Sequence, residues 1–153
     1  MHTLPVMEYF YTLQGEGFHQ GKAAFFIRLA GCDVGCVWCD VKESWDAESH
    51  PLVSVEELTA AVKKTPCQLV VITGGEPLMH DLTLLTSALK TAGLQIHIET
   101  SGVYPVSGQL DWICLSPKKF KPAREEVLAV AHELKIVVYH PSDLVWAETF
   151  RSK

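Results

Sequence analysis

The sequence predicts an α/β fold built on a parallel sheet. Apolar runs of strand length alternate with amphipathic segments of helix length, as in successive βαβ units. Residues 68–73 are almost continuously apolar, which is typical of a strand buried on both faces. Polar and glycine motifs follow the strand ends, where α/β folds place their active sites. A chain of 153 residues fits one such domain with a sizeable core.

Five strands and three helices are predicted in order along the chain. Residues 23–30 form a strand that runs into a cysteine-rich loop. Ser54 and Glu57 have the spacing of a capping box, which predicts a helix from residue 55 to about 64. The strand at 68–73 is followed by a helix at 81–92, which Gly93 ends. The remaining elements are strands at 94–99, 110–116 and 133–139 and a helix at 123–131.

The composition excludes several classes of protein. Hydrophobic residues make up 48% and charged residues 20%, so the chain is not disordered. A net charge of −5 disfavours nucleic acid as a partner, and no apolar stretch is long enough to span a membrane. The N-terminus lacks the pattern of a signal peptide. Five cysteines, three of them clustered, indicate no disulfide framework, and we expect a reducing, cytoplasmic location.

Three cysteines within eight residues, Cys32, Cys36 and Cys39, are the most informative motif. A structural zinc site needs four ligands, and a four-iron cluster held by protein alone needs four cysteines. Three thiolates can instead hold three irons of a cubane and leave the fourth iron open to a small molecule. The alternative is a zinc site completed by a distant histidine, Cys67 or Cys114. Without such a metal, Cys67 and Cys114 are expected to be buried core thiols.

Three further motifs follow successive predicted strands. Gly74 and Gly75 allow close approach of the backbone to a ligand, and Glu76 can accept hydrogen bonds from an ammonium group. Glu99, with two following hydroxyl residues, suits a ribose or a carboxylate. The pattern recurs at residues 116–118. Each motif alone is equally consistent with a turn or a helix cap, but together they converge on the cysteine loop.

The motifs together resemble the radical S-adenosylmethionine (SAM) superfamily and, within it, the 7-carboxy-7-deazaguanine synthases. The resemblance rests on short motifs in the same order over nearly the whole chain: residues 12–17 (TLQGEG), 26–29 (FIRL), 32–45 with the three cysteines, 72–77 (ITGGEP), 99–102 (ETSG) and 116–118 (SPK). It implies an incomplete (β/α) barrel of the radical SAM type. It also implies a lyase that converts 6-carboxy-5,6,7,8-tetrahydropterin to 7-carboxy-7-deazaguanine with loss of ammonia, in queuosine biosynthesis.

The resemblance also implies roles for individual residues. Cys32, Cys36 and Cys39 would ligate a [4Fe–4S] cluster whose open iron chelates SAM, so that SAM is cleaved to a 5′-deoxyadenosyl radical. No catalytic residue is assigned beyond the cluster and SAM. The expected SAM-binding residues are Trp38, Thr73, Gly74, Gly75, Glu76, Glu99, Ser101, Ser116 and Lys118. The expected substrate-binding residues are Leu13, Gln14, Gly15, Glu16, Arg28 and Thr73.

Chemistry supports the three polar substrate residues. Gln14 and Glu16 can pair with the donor and acceptor edge of a pterin, and Arg28 can clamp its carboxylate with two hydrogen bonds. Arg28 lies among apolar residues in a predicted strand, so its charge needs a partner. A surface cation is the alternative.

The family is stimulated by Mg²⁺, and this chain departs from it at the expected metal position. A threonine commonly follows the Cys-Asp pair in the family, whereas here Val41 follows Asp40 and offers no side-chain oxygen. Mg²⁺ bound through Asp40, water and substrate is therefore an uncertain expectation. The family also continues with a further strand and a closing segment, so we expect residues 1–153 to be a single radical SAM domain without that segment.

The expected partners are a small carboxypterin, a flavodoxin- or ferredoxin-type electron donor and a second copy of the chain in a homodimer. Two other functions stay open. An activase for a glycyl-radical enzyme would share the cluster and SAM motifs but would not need Gln14, Glu16 and Arg28 together. A non-catalytic iron–sulfur or zinc module would need only the cysteines and would leave the motifs at Gly74 and Glu99 unexplained.

Overall fold

Residues 1–151 are described by a computed structural model, and within them seven strands form one sheet. The strands are β1 (Thr3–Leu13), β2 (Ala23–Leu29), β3 (Leu52–Ser54), β4 (Leu69–Gly74), β5 (Gln95–Thr100), β6 (Trp112–Leu115) and β7 (Glu133–Leu134). The helices are α1 (Val55–Lys63), α2 (Thr83–Thr91), α3 (Glu125–Leu128) and α4 (Pro141–Glu148), with short 3₁₀ turns at Lys42–Ser44, Ala47–Ser49 and Pro77–Met79. No helix among these residues is longer than nine residues, and none could cross a membrane.

The strand order is β3-β1-β2-β4-β5-β6-β7. The five strands β2, β4, β5, β6 and β7 pair with one another in parallel, whereas β1 is antiparallel to both of its neighbours, β3 and β2. The sheet does not close, so the predicted incomplete (β/α) barrel is confirmed. The carboxyl ends of the parallel strands lie along one edge, which places their loops together.

The two faces of the sheet have different neighbours. Outward side chains of β2, β4 and β5 pack against the buried faces of α1 and α2 to form the main core. This core includes Ile27, Ile72, Ile98, Leu58 and Leu85, all fully buried. Side chains on the opposite, inner side of the sheet point into the lumen of the open barrel. They include most polar residues of the strands.

Local signals at helix ends are confirmed. The Ser54 hydroxyl accepts a hydrogen bond from the Glu57 N–H at 3.1 Å, so Ser54 is the N-cap of α1. Gly93 has a φ of +79°, a conformation that favours glycine, and it follows α2 directly after Ala92. Cys67 and Cys114 are buried, as expected.

Other predictions were wrong. The strands β1 and β3 and the helix α4 were missed, and the helix expected at 123–131 is only the four residues of α3. The strand expected at 133–139 ends at Leu134. Its neighbour β6 ends at Leu115, just before Ser116 and Pro117, and Lys135 makes the last backbone hydrogen bond to it. Because residues beyond Lys135 find no neighbouring strand, they cannot extend β7.

Candidate active site

The loop after β2 carries the three cysteines, all with free thiols. Backbone hydrogen bonds hold its base, from Gly31 N–H to Ser44 O at 2.5 Å and from Cys32 N–H to Trp45 O at 3.1 Å. Cys36 is buried, whereas Cys32 and Cys39 are partly exposed. Burial raises the pKa of the Cys32 and Cys36 thiols, because a thiolate there is poorly solvated. A bound cation would compensate that cost.

The loop after β4 packs directly against the base of the cysteine loop. Gly75 donates its N–H to Leu29 O at 3.1 Å, and Glu76 donates to Gly31 O at 2.9 Å. A Cβ on Gly74 would collide with the Leu29 carbonyl, and one on Gly75 would collide with the Gly31 carbonyl. Two consecutive glycines are therefore required for this close approach. It brings the backbone of the glycine motif beside the expected cluster.

Glu76 is almost completely buried, with 1% of its surface exposed. Its Oε1 accepts from Leu78 N–H at 3.1 Å and Thr100 Oγ1 at 2.5 Å. Its Oε2 accepts from Ser101 N–H at 2.8 Å and from the Ser101 hydroxyl. The three bonds from Thr100 and Ser101 fix the loop after β4 to the end of β5. The Glu76 carboxylate, which was expected to bind the ammonium group of SAM, thus already accepts hydrogen bonds from protein donors. Its role toward SAM stays a prediction.

Two other pairs of expected SAM residues are also in contact. Thr73 donates its hydroxyl to Glu99 Oε2 at 3.0 Å. Lys118 donates to the Ser116 hydroxyl at 2.7 Å and to the Ser116 carbonyl at 3.0 Å, and burial lowers the pKa of its ammonium group. A cavity of about 350 Å³ beside the cysteine loop is lined by Trp38, Pro117, Lys118, Phe120, Tyr139 and Trp146.

The inner face of the sheet presents two rows of side chains, which the strand register defines. The upper row, nearer the carboxyl ends of the parallel strands, is polar and consists of Glu8, Arg28, Thr73, Glu99, Cys114 and Glu133. The lower row, two residues earlier on each parallel strand, consists of Phe10, Phe26, Val71, His97 and Trp112.

Arg28 finds its partner within the upper row. Its Nε donates to Glu8 Oε1 at 2.8 Å, and 20% of its side-chain surface is exposed. Among residues 1–151 its two terminal Nη groups have no hydrogen-bond partner. They remain free to donate together to a carboxylate. Glu8, which the sequence did not single out, orients the guanidinium through its remaining nitrogen.

The loop between β1 and β2 reaches the far end of the sheet. Phe18 donates its N–H to Glu133 Oε2 at 2.9 Å, and Glu16 forms an ion pair with Lys135. Gln14 is buried, and its Oε1 accepts from the Glu16 N–H at 3.1 Å. Gln14, Glu16 and Glu99 line the same cavity of about 10 Å³, above His97 and Trp112. The loop therefore spans the open side of the barrel.

Comparison with known proteins agrees with these motifs. The radical SAM superfamily model matches residues 26–140. The chain is 54% identical to the 7-carboxy-7-deazaguanine synthase of Flavobacterium psychrophilum, over 98% of this chain and 71% of that protein. It is 51% identical to that of Synechocystis, over 94% and 69%, and 39% identical to that of Escherichia coli, over 90% and 71%.

A solved structure gives the same result. The crystal structure of QueE from Escherichia coli superposes with a TM-score of 0.88 at 35% identity, covering 99% of this chain and 78% of that one. The chain belongs to the 7-carboxy-7-deazaguanine synthase family of the radical SAM superfamily. Membership of the radical SAM superfamily implies a [4Fe–4S] cluster and SAM as cofactors.

The donor set on the loop fits that cluster better than a zinc ion. Within residues 1–151 no three His, Cys, Asp or Glu side chains are arranged to hold a single metal ion. A closed zinc site needs four such ligands around one ion. Cys67, just before β4, and Cys114, in β6, are buried outside the cysteine loop. A cubane instead distributes three thiolates over three irons, which suits three free cysteines on one loop.

The other predicted residues lie on the surface around this site. Leu13, the last residue of β1, and Gly15 are exposed. Asp40 is exposed directly after Cys39, and Val41 is partly buried at the start of a 3₁₀ turn. The Val41 carbonyl is already bonded to the Ser44 hydroxyl at 2.7 Å. Sequence reasoning missed Glu8, which lies within β1, and Glu133 and Lys135, which lie at and just beyond β7. No sequence motif marked any of the three.

Proposed function

We propose that this chain is a radical SAM lyase that converts 6-carboxy-5,6,7,8-tetrahydropterin to 7-carboxy-7-deazaguanine with loss of ammonia, for queuosine biosynthesis. The observation that carries the proposal is the meeting of the cysteine loop, the Gly74–Gly75 backbone and the Arg28 side chain at one edge of the sheet. Family membership supplies the reaction. When bound, the cluster and SAM supply the one-electron chemistry that removes a hydrogen atom from the substrate.

The residues of the chain would bind and orient the two ligands. Cys32, Cys36 and Cys39 would hold the cluster. The free Nη groups of Arg28 would bind the substrate carboxylate, because a planar guanidinium matches a carboxylate geometrically. Glu16 and Gln14, on the loop that spans the open side, would bind the other end of the pterin. The contacts expected for SAM are Trp38, Thr73, Gly74, Gly75, Glu76, Glu99, Ser101, Ser116 and Lys118.

The four hydrogen bonds to Glu76 support a particular version of its role. A carboxylate that accepts from Ser101 and Thr100 holds the loop after β5 in place. Ser101 can then present its free lone pairs toward SAM, while the glycine backbone meets the methionine end. Glu76 would act on SAM chiefly by positioning these neighbours.

The test is an anaerobic assay of the iron- and sulfide-reconstituted protein. With dithionite and SAM, the carboxypterin should yield 7-carboxy-7-deazaguanine, ammonia and 5′-deoxyadenosine, detected by chromatography and mass spectrometry. SAM cleavage that ignored the pterin but modified a glycyl-radical enzyme would favour the activase. Iron binding without any SAM cleavage would favour the non-catalytic module.

Mg²⁺ is proposed as a further, substrate-dependent cofactor. Asp40 is exposed beside the cysteine loop and can reach an ion directly or through water. Val41 contributes no side-chain oxygen, and its carbonyl already accepts from Ser44. Because Mg²⁺ prefers six oxygens and keeps several waters, the substrate would supply the missing ligands.

A flavodoxin- or ferredoxin-type donor and a homodimer are proposed from the family resemblance. Val37 and Trp38 are exposed on the cysteine loop, where an electron donor must approach. Lys121 pairs with Asp33 on that loop, Lys119 lines the cavity beside Trp38, and Lys42 follows the loop in sequence. Reduction by an acidic flavodoxin should slow as salt rises. Sedimentation of the reconstituted protein tests the dimer. We expect the cytoplasm as location and a single domain as organisation.

A further inference from the structure

Lys135, just beyond β7, lies in the proposed substrate site although no sequence motif identified it. Its backbone N–H donates to Leu115 O at 2.9 Å, which places it beside the end of β6. Its ammonium group forms an ion pair with Glu16, a residue 119 positions earlier in the chain. The contact joins the loop that spans the barrel to the last strand of the sheet.

The electrostatic surroundings keep Lys135 charged. Burial alone would lower the pKa of its ammonium group, but the hydrogen bond to Glu16 and the nearby charge of Glu99 outweigh burial and raise it. Lys135 follows Glu133 of the upper row by two residues, and its backbone N–H bonds to Leu115, the neighbour of Cys114 in that row. Lys135 therefore lies between a residue expected to bind substrate and one expected to bind SAM.

The Glu16–Lys135 pair has unused hydrogen-bonding capacity. Glu16 Oε2 accepts from Lys135, and among residues 1–151 its Oε1 has no partner. The ammonium donates once to Glu16 and has two further N–H groups. The side chains are 57% and 42% exposed, so a ligand can reach both. The pair thus offers an acceptor and a donor side by side.

A 2-amino-4-oxopyrimidine ring has the complementary edge. Its ring N–H and exocyclic amino group are donors, and the neighbouring 4-oxo group is an acceptor. A carboxylate can accept from these donors, including the ring N–H at position 3, which a 4-amino pteridine lacks, but it does not contact the 4-oxo oxygen itself. An adjacent ammonium, which donates and cannot accept, binds that oxygen directly and disfavours an amino group in its place.

We propose that Lys135 is a specificity-determining residue that donates to the 4-oxo group of the pterin while Glu16 accepts from the adjacent N–H groups. This assignment deepens the proposed function and rests on it. It predicts that the site favours a 4-oxo over a 4-amino pteridine, and that the preference depends on Lys135 rather than on Glu16 alone.

The test compares two stable ligands of the SAM-bound, reconstituted protein by calorimetry at pH 8. The ligands are 6-carboxypterin, which has the 4-oxo group, and 2,4-diaminopteridine-6-carboxylate, which has an amino group there. The wild type should prefer the oxo compound by at least about 30-fold. Lys135→Met should weaken the oxo compound by roughly 10- to 100-fold, the loss of one hydrogen bond to a charged group, and change the diamino compound less than about 3-fold.

Three variants control for structure. Lys135→Arg keeps a cationic donor and should retain the preference. Lys135→Gln can donate to an oxo group or accept from an amino group, so its preference should fall to the part that Glu16 supplies through the N–H at position 3, which tests the idea again if Lys135→Met folds poorly. Lys90→Met removes a lysine from another partly exposed ion pair, with Asp111, and should leave both affinities unchanged. Affinity for SAM should stay the same in all three.

The possible failures are distinguishable. Equal losses for both ligands in Lys135→Met and Lys135→Gln would assign Lys135 a structural role and overturn the inference, as would an unchanged preference. Product formation by the wild type from the true carboxypterin checks the proposed function separately. If that product forms while the preference ignores Lys135, only the inference fails; if the wild type forms no product and binds neither ligand, both fail.

Discussion

The upper and lower rows of the inner face lie on the same strands, one pleat repeat apart, yet they do different things. The upper row carries Arg28, Thr73 and Glu99, whose polar groups meet in ion pairs and hydrogen bonds. The lower row packs its rings, with Phe10 stacked on Phe26 at 5.7 Å and His97 buried beside Val71. The cavity between them holds about 10 Å³, room for one water.

The difference shows that position along a parallel strand decides function in this fold. A side chain at the carboxyl end lies beside the loops that are expected to bind ligands. A side chain two residues earlier packs among other side chains, as Trp112 does against Phe18 and His19 of the β1–β2 loop. Substitutions in the site should therefore change binding, and substitutions in the packed layers should change stability.

The largest contrast is expected between cysteines of the loop and of the core. Cys36→Ala should abolish iron retention and SAM cleavage, because the three ligands act as a unit. Cys67→Ala should keep the iron and cost only about 1 kcal/mol of unfolding free energy, since Cys67 is a buried side chain away from the loop. Iron analysis and 5′-deoxyadenosine yield measure the first, and urea unfolding measures the second. Normal cleavage by Cys36→Ala would refute the assignment of the loop.

The next contrast is between Arg28 and Phe26 on one strand. Arg28→Ala should weaken pterin binding by about 2–4 kcal/mol, because the substrate carboxylate loses its charged partner. Phe26→Leu should instead lower stability by about 1 kcal/mol and leave pterin affinity nearly unchanged. Calorimetry with pterin and with SAM checks both variants. Equal losses of the two ligands in Arg28→Ala would show that Arg28 is structural.

A pH-dependent contrast tests the lower row. Burial, with the charge of His19 as a smaller cause, lowers the pKa of His97 to about 4 from 6.5. Between these values the unfolded chain binds a proton that the folded chain does not, so stability falls as pH drops from 6.5 toward 4. The loss from His97 should be roughly 1–2 kcal/mol after solvent screening.

His97→Gln removes this titration and is the matched comparison. Urea unfolding of the cluster-free protein at pH 7 and pH 5 should show a smaller decrease for the variant than for the wild type. An identical decrease in both would mean that His97 is protonated equally easily in the folded and unfolded states.

The smallest effect concerns the proposed Mg²⁺ site beside the cysteine loop. Val41→Thr adds a hydroxyl oxygen where the wild type has none, so it should strengthen Mg²⁺ binding by about 1 kcal/mol and make turnover more dependent on the ion. The wild type should bind little Mg²⁺ until pterin is present. Titration of Mg²⁺ into the SAM-bound protein, with and without pterin, measures this. Tight binding without pterin would show that another protein oxygen replaces the missing one.

Short-range features of the site were predictable from the sequence. Two motifs depend only on residues close together in sequence. They are the spacing of Cys32, Cys36 and Cys39, which lets one loop bind a cluster, and the paired glycines 74 and 75, which allow close backbone approach. The same holds for the Ser54 cap, confirmed by its bond to Glu57. Alternation of apolar segments predicted the parallel strands because burial on both faces leaves a continuous apolar run.

The partners of the charged residues could not be predicted. Lys135 pairs with Glu16 across 119 positions, and Arg28 pairs with Glu8 on a strand that the sequence did not reveal. The exposed half of β1 lacks the continuous apolar run that marks a buried strand, and its antiparallel pairing comes from the hairpin with β2.

The sequence by itself determined the chemistry that adjacent residues carry: a three-thiolate loop, a glycine motif and a parallel α/β sheet. Only the tertiary structure decided which strands are neighbours and which of their side chains lie side by side, because strand order and register bring distant residues into one row. It also decided where elements stop, since β7 ends where β6 offers no further backbone partner. Local chemistry needs only neighbours in sequence, whereas a site needs neighbours in space.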